Sequence, residues 1–275
     1  MAIITISREM GSGGIPIAHR AAEKLGYTLI DGEAIARVAG QYGLTPEALE
    51  IADEKPPAFV ERLDEKMEVD LHVIELIILE YALKGNVIIY GRGGQDLLKD
   101  ISSVLRVRIV APFEERVERW AEREWLDPDL ARILVRKSDQ QRAGFIKYYF
   151  DRNWDDPLHY DLVINTSRLS EETAVKLLCE GIKDKNLVEK KGASKQVLHN
   201  LIVRKRAEIA VLSSSDAEAH HLQIAAEDGL VTLSGHLHSE SERREVLKIV
   251  RKVEGVKEVV DHLKIVEYHT SPQEH

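Results

Sequence analysis

The chain has 275 residues, 44% of them hydrophobic, and a net charge of -9 from 38 Lys and Arg against 47 Asp and Glu. The length suits one ordinary domain plus a small one, and the acidic balance excludes a general nucleic-acid binder, which needs a basic face. One cysteine excludes a disulfide framework within the chain; no run nears the ~20 apolar residues of a spanning helix, and "MAIITIS" is too short for a secretory leader, so the expected setting is cytoplasmic.

From Met1 to about Leu187, short apolar runs alternate with longer amphipathic ones. Ile3 to Ile6 reads as a buried strand, followed by the glycine turn Gly11-Ser12-Gly13-Gly14 and a helix over Ile17 to Leu25. Helical spacing returns at Val69 to Leu83, then a strand at Val87 to Tyr90 ends in a second glycine turn, Gly91-Arg92-Gly93-Gly94. A strand at Val104 to Ala111 leads to a helix at Glu114 to Arg123. There Arg116, Arg119 and Arg123 interleave with Glu114, Glu115, Glu118 and Glu122 as a mostly solvated face with i,i+4 pairs. "RILVRKSDQQRAGF" adds Arg136 and Arg142, with a plain surface role open for both. The aromatics Phe145, Tyr148, Tyr149, Phe150 and Trp154 are expected to pack a helix, or a contact between copies, rather than stack a base. A strand at Leu162 to Asn165 and a helix at Glu171 to Ile182, burying Cys179, complete the region. Near-continuous apolar strands between helices predict a parallel sheet covered on both faces, an α/β fold.

Residues 188–195 are polar and read as a linker. A second unit, αββαβ in order, is expected over 196–269, with a tail at 270–275. Its signals are a helix to about Leu212, a hairpin turning at Asp228-Gly229, a helix capped by Ser239 and Glu242, and a last strand. Eight of the 11 histidines fall in the last 80 residues. His236 and His238, with His220 and His221 near them, lack the converging, supported ligands that a metal needs, so solvent-facing positions are the expectation.

A glycine turn between a strand and a helix N-terminus exposes backbone N–H groups and the positive end of the helix dipole to an anion. The common phosphate loop, G-x-x-x-x-G-K-[ST], adds a lysine for the β and γ phosphates and a hydroxyl for magnesium. Here Gly14 stands at the lysine position, Ile15 at the hydroxyl position and Arg8 at the first glycine. The backbone nest survives, the nearest replacement charge is Arg8, and magnesium is left to waters, phosphates or a carboxylate. A tight turn without a ligand is the competing reading. The second turn strengthens the first, because ligands of open α/β sheets bind at the carboxyl ends of strands, and Arg92 suits bidentate phosphate contact. Asp31 reads equally as a helix cap and as a site residue.

"ITISREMGSGGIPIAHRAAEKLGYTLIDGEAI", "VIIYGRGG", "RIVAPFEERVERW" and "YDLVINTSRLSEETAVKLL" together resemble the cytidylate kinase-like branch of the P-loop nucleoside monophosphate kinases. That branch shares the change of lysine to glycine. The resemblance implies ATP and Mg2+ as cofactors and phosphoryl transfer to a nucleoside monophosphate. It implies that Gly11, Ser12, Gly13 and Gly14 hold the ATP phosphates, with Arg8 beside them. Asp31 and Arg92 would hold the acceptor. Arg119, Arg136 and Arg142 would act from a lid over the transferred group. The tail resembles the BON domain through Gly229, Val231, Leu233, Gly235, Gly255, Val256 and Val259, which implies a binding partner or ligand of unstated identity. The implied partner is a nucleotide rather than nucleic acid, with the oligomeric state open. The alternative function is a non-catalytic nucleotide or phosphate sensor coupled to that binding domain.

Overall fold

In the computed structural model, residues 2–45, 49, 65–214 and 222–266 are described. Strand β1 (Ile3–Arg8) is buried along its whole length, which explains its apolar residues on both faces. It lies at the centre of a five-stranded sheet of order β2-β3-β1-β4-β5, with β2 at Thr28–Ile30, β3 at Val87–Tyr90, β4 at Val104–Val110 and β5 at Leu162–Asn165. Every pairing is parallel. Alternation divides β1 between two cores: Ile3 packs with Ile89 on one face, and Ile4 and Ile6 pack with Ile88 and Tyr90 on the other. The register Ile6↔Tyr90 brings both glycine turns to one end of the sheet.

The helices cover both faces: α1 (Gly14–Leu25), α2 (Gly32–Ala39), α3 (Glu65–Lys84), the short α4 (Gly94–Leu97), α5 (Phe113–Glu124), α6 (Pro128–Phe150) and α7 (Glu171–Gly181). Strand β2 escaped the sequence pattern because only Ile30 of its three residues is buried. Helix α6 runs 23 residues from an Asp127 cap and a first-turn proline. Phe145, Ile146 and Trp154 bury against Leu71 of α3, with Tyr149 and Phe150 beside them; these aromatics pack the helix, as expected. Cys179 is buried. No helix among the described residues is long and apolar enough to cross a membrane.

A short helix α8 (Lys185–Val188) leads to α9 (Lys191–Leu212), so the stretch read as a linker is helical from Lys191. Strands β6 (Leu222–Glu227), β7 (Leu230–Leu237) and β8 (Glu258–Ile265) form a mixed sheet with α10 (Glu240–Val250), in the expected order αββαβ. The hairpin turns at Asp228 and Gly229, with φ of +51° and +88°. Ser239 caps α10 by accepting from the Glu242 N–H, while the Glu242 carboxylate accepts from His238 N. His236 is exposed on β7 and His238 lies just past it; His220, His221 and residues 267–275 fall outside the described residues. Among those described, no group of three or more His, Cys, Asp or Glu converges to hold a metal.

Helix α9 belongs to two cores at once. Leu198 and Ile202 complete the core under α3, and Ala207 and Val211 complete that of the small sheet. Between α3 and α9 lies the buried Lys205, with Nζ 2.7 Å from Glu75, 2.6 Å from Glu208 and 2.7 Å from His72 Nδ1. Burial opposes ionisation of Glu75, but Lys205 and His72 outweigh it and hold its carboxyl at about 2. Glu75→Gln is expected to lower stability by about 3 kcal/mol, the low end for breaking a buried pair, because Glu208 still faces Lys205. The Glu75 carboxyl lies lower in the folded chain than its ordinary 4.5, so its stabilisation is present above that value and is lost as pH falls towards about 2. Denaturant midpoints of wild type and variant should therefore differ at neutral pH and converge across that acid range.

Candidate active site

The glycine loop is built on two left-handed backbone positions, Gly11 at φ +79° and Gly13 at φ +81°. Gly13 caps α1 without a side-chain bond, which leaves the helix N-terminus to whatever enters from solvent. A Cβ on Gly11 would come within 2.5 Å of the Arg116 carbonyl oxygen, so this residue is glycine for space as well as conformation. The Ser12 side chain is buried and donates to the Glu9 carbonyl at 2.7 Å. It shapes the loop from inside rather than facing the cleft.

Arg116 fastens the loop from beneath. The pattern placed this residue on a solvated face; the structure corrects that, for Arg116 is only 5% exposed. Its guanidinium donates to the carbonyls of Ala111 and Met10 and to the Asp139 carboxylate, and lies 3.2 Å from Glu9. Asp139, on α6, also accepts from the Met10 N–H at 2.9 Å, tying that helix to the loop. Burial pushes the Glu9 carboxyl up against the pull of Arg116 and Arg108, and the Ala111 N–H donates to it. Thr166, just after β5, closes the ring by donating to the Ser12 carbonyl and accepting from Arg119.

Two clefts open at this end of the sheet. The first, of about 310 Å³, is lined by Gly11, Gly13 and Gly14 and by Arg8, Arg119 and Arg142. Glu9, Trp120, Arg123 and Glu171 also reach it. The second, of about 210 Å³, is lined by Arg8, Asp31, Gly32, Glu33, His19 and Arg92. Both are bounded by Arg8, Ile15 and Tyr90, so they share one wall. Asp31 caps α2 through the Ala34 N–H at 2.8 Å, and it also lines the second cleft. Arg92 holds a left-handed φ of +61°, uncommon for a side-chain-bearing residue and typical of ligand sites. A Cβ on Gly32 would run into its guanidinium. Of the three expected lid arginines, Arg119 and Arg142 reach the first cleft. Arg136 does not line it: it is exposed on α6, with its guanidinium 5.3 Å from the Phe113 ring.

Arg116, Glu9 and Thr166 carried no sequence signal of their own for this site. Tyr90 could have been found by parity: it alternates with Ile88 onto the face of β3 that β1 shares through Ile6.

The chain matches the cytidylate kinase-like family over residues 3–168 and the BON domain over residues 203–267. It is 31% identical over 171 residues to the cytidylate kinase of Natronomonas pharaonis, covering 62% of this chain and 83% of that one. It is 30% identical over 185 residues to the cytidylate kinase of Staphylothermus marinus, covering 66% and 97%. The crystal structure of an uncharacterized protein from Eubacterium ventriosum superposes with a TM-score of 0.54 at 23% identity, covering 67% of this chain and all of that one, which supports the fold.

The two loop glycines should respond differently to substitution. Gly13→Ala meets nothing within 4 Å and should cost only the left-handed backbone penalty of about 1–2 kcal/mol. Gly11→Ala adds the collision with the Arg116 carbonyl and should cost more. Thermal unfolding of the two variants checks the order.

Proposed function

The chain belongs to the cytidylate kinase-like family, and we propose that it transfers the γ-phosphoryl group of ATP to a nucleoside monophosphate. The observation that carries this reading is the pair of clefts with a common wall, a glycine nest in one and Asp31 with Arg92 in the other. Phosphoryl transfer needs two phosphate-bearing molecules held in line and their charge neutralised. The nest at the α1 N-terminus would take the ATP phosphates. Arg92 would hold the acceptor phosphate, and Asp31 would contact the acceptor nucleoside. An oxygen of the acceptor phosphate would bond to the γ-phosphorus as the bond from that phosphorus to the β–γ bridging oxygen breaks. ADP leaves with that electron pair, and the acceptor becomes a diphosphate. Arg119 and Arg142 would neutralise charge from the α5–α6 side; Arg136 would need α6 to move before it could join them.

Of the acids that line the first cleft, Glu9 is already neutralised by Arg116 and Arg108. Glu171, whose ion pair with Arg20 is an exposed 3.5 Å contact, is the carboxylate we assign to a water of magnesium, an ion that retains several waters. When bound, magnesium would supply charge neutralisation for the transferring phosphoryl group.

The test is ATP turnover against a panel of nucleoside monophosphates, CMP and dCMP first. Arg92→Ala is expected to raise the acceptor KM by about 10- to 150-fold, the worth of a lost charge-assisted contact. Arg8→Ala is expected to weaken ATP binding; unchanged affinity would remove Arg8 from the phosphate site. ATP binding without turnover on any acceptor would leave a nucleotide sensor coupled to the BON unit.

A further inference from the structure

Gly14 stands where a phosphate loop ordinarily carries its lysine, and the space a side chain would need there is already filled. A Cβ on Gly14 would lie 3.0 Å from both Cβ and Cγ of Arg8 and 3.1 Å from the Tyr90 hydroxyl. The Arg8 backbone has little room to yield, because it is paired with β4 opposite Ile109, and β1 is held on its other side by β3 as far as Ile6. A side chain at position 14 and an arginine at position 8 therefore compete for one volume. The arginine is in turn held by Tyr90. Its guanidinium carbon lies 4.2 Å from the centre of the Tyr90 ring, and the two residues are 9% and 8% exposed. Arg8 and Tyr90 also line both clefts.

We propose that Arg8, Tyr90 and Gly14 form a matched trio. Arg8 is the cation shared by the donor and acceptor phosphates, Tyr90 is the positioning residue that fixes it between the clefts, and Gly14 is bare so that Arg8 fits. The proposal rests on the reading that the clefts take ATP and an acceptor monophosphate. Its chemistry differs from that of a loop lysine. A lysine is a flexible point charge fixed by its helix, whereas a guanidinium presents a flat fork of donors that an aromatic face can hold in one orientation. From the shared wall, one such fork can meet a phosphate on either side. It follows that restoring the lysine should harm the site.

The experiment measures ATP affinity by calorimetry, without acceptor or magnesium, alongside steady-state kinetics and thermal unfolding. The variants are Tyr90→Leu, Tyr90→Phe, Gly14→Lys, Arg8→Ala and the double variant Arg8→Ala with Tyr90→Leu. Tyr90→Leu is expected to weaken ATP binding and lower kcat, each by about 2- to 30-fold, the range of a lost cation–aromatic contact. Tyr90→Phe keeps the ring and should stay near wild type. The double variant should be no worse than Arg8→Ala, and Gly14→Lys should bind ATP less tightly than wild type. Where Tyr90→Leu is unstable, Gly14→Ala, whose added carbon meets Arg8 and Tyr90, gives the same readout. Unchanged affinity and kcat in Tyr90→Leu, additive losses in the double variant, or tighter ATP binding in Gly14→Lys would each overturn the trio while leaving the kinase reading intact. A folded wild-type protein that binds no ATP would overturn both.

Discussion

The Arg116 guanidinium lies beneath the glycine loop and bonds in four directions: to the loop carbonyl of Met10, to the end of β4 at Ala111, to Glu9 and to Asp139 on α6. A buried charge is tolerated only when paired and hydrogen-bonded, and here each pairing fastens a different piece of the cleft. Glu9 and Asp139 in turn take up backbone N–H groups of Ala111 and Met10. The loop therefore has a scaffold made before any ligand arrives, and the donors at Gly13 and the first turn of α1 are left to the cleft. Arg108 on β4 repeats the device. It is buried, with its guanidinium 4.0 Å from the Trp154 ring and bonded to the Trp154 carbonyl and Asp155, which fixes the crossing from α6 to β5.

Periodicity made the frame legible. The strand at Val87 to Tyr90 follows its apolar run residue for residue because it is buried on both faces and has nothing else to display; the edge strand at Leu162 to Asn165 follows its run as well, although only Ile164 of it is buried. The two glycine turns were equally readable, since left-handed φ at Gly11, Gly13 and Gly93 calls for glycine at the end of a strand. What stayed hidden were the charged residues that fold inward. Arg116 and Arg119 are neighbours on one helix and look alike in sequence. Yet Arg119 keeps the ordinary i,i+4 pair with Glu115, while Arg116 turns beneath the loop. The difference lies in Glu9 and Asp139, which are distant in sequence from Arg116, so no local pattern encodes it. Strand β2 was missed for a related reason: three residues against one neighbour are too few to impose a period.

The charge distribution opposes the composition. A chain of net charge -9 draws arginines from β1, the turn after β3, α5 and α6 onto the two clefts. The first cleft carries four arginines against Glu9 and Glu171, whereas the second sets Arg8 and Arg92 against Asp31 and Glu33. A local positive field in a concave wall concentrates small anions there, and the excess of acid elsewhere discourages extended polyanions that would need a basic face.

The same economy joins the two units. Helix α9 packs on two sides, for Leu198 and Ile202 point into the larger core and Ala207 and Val211 into the smaller. Swinging the small sheet away on α9 would expose the first pair and strip Lys205 of Glu75 and His72. Such a move costs both apolar burial and the desolvation of unpaired charges. The Lys205 cluster also faces the far end of α6. There burial, with Tyr148 and Glu75 nearby, pushes the Tyr149 phenol up to about 12. Helix α6 is thus held at Asp139 by the glycine loop and packed near its end against α3, the helix on which α9 rests. Any rearrangement of α6 over the clefts must be accommodated at that shared support. Through α9 the small unit rests on the same helix, α3, that packs the end of α6.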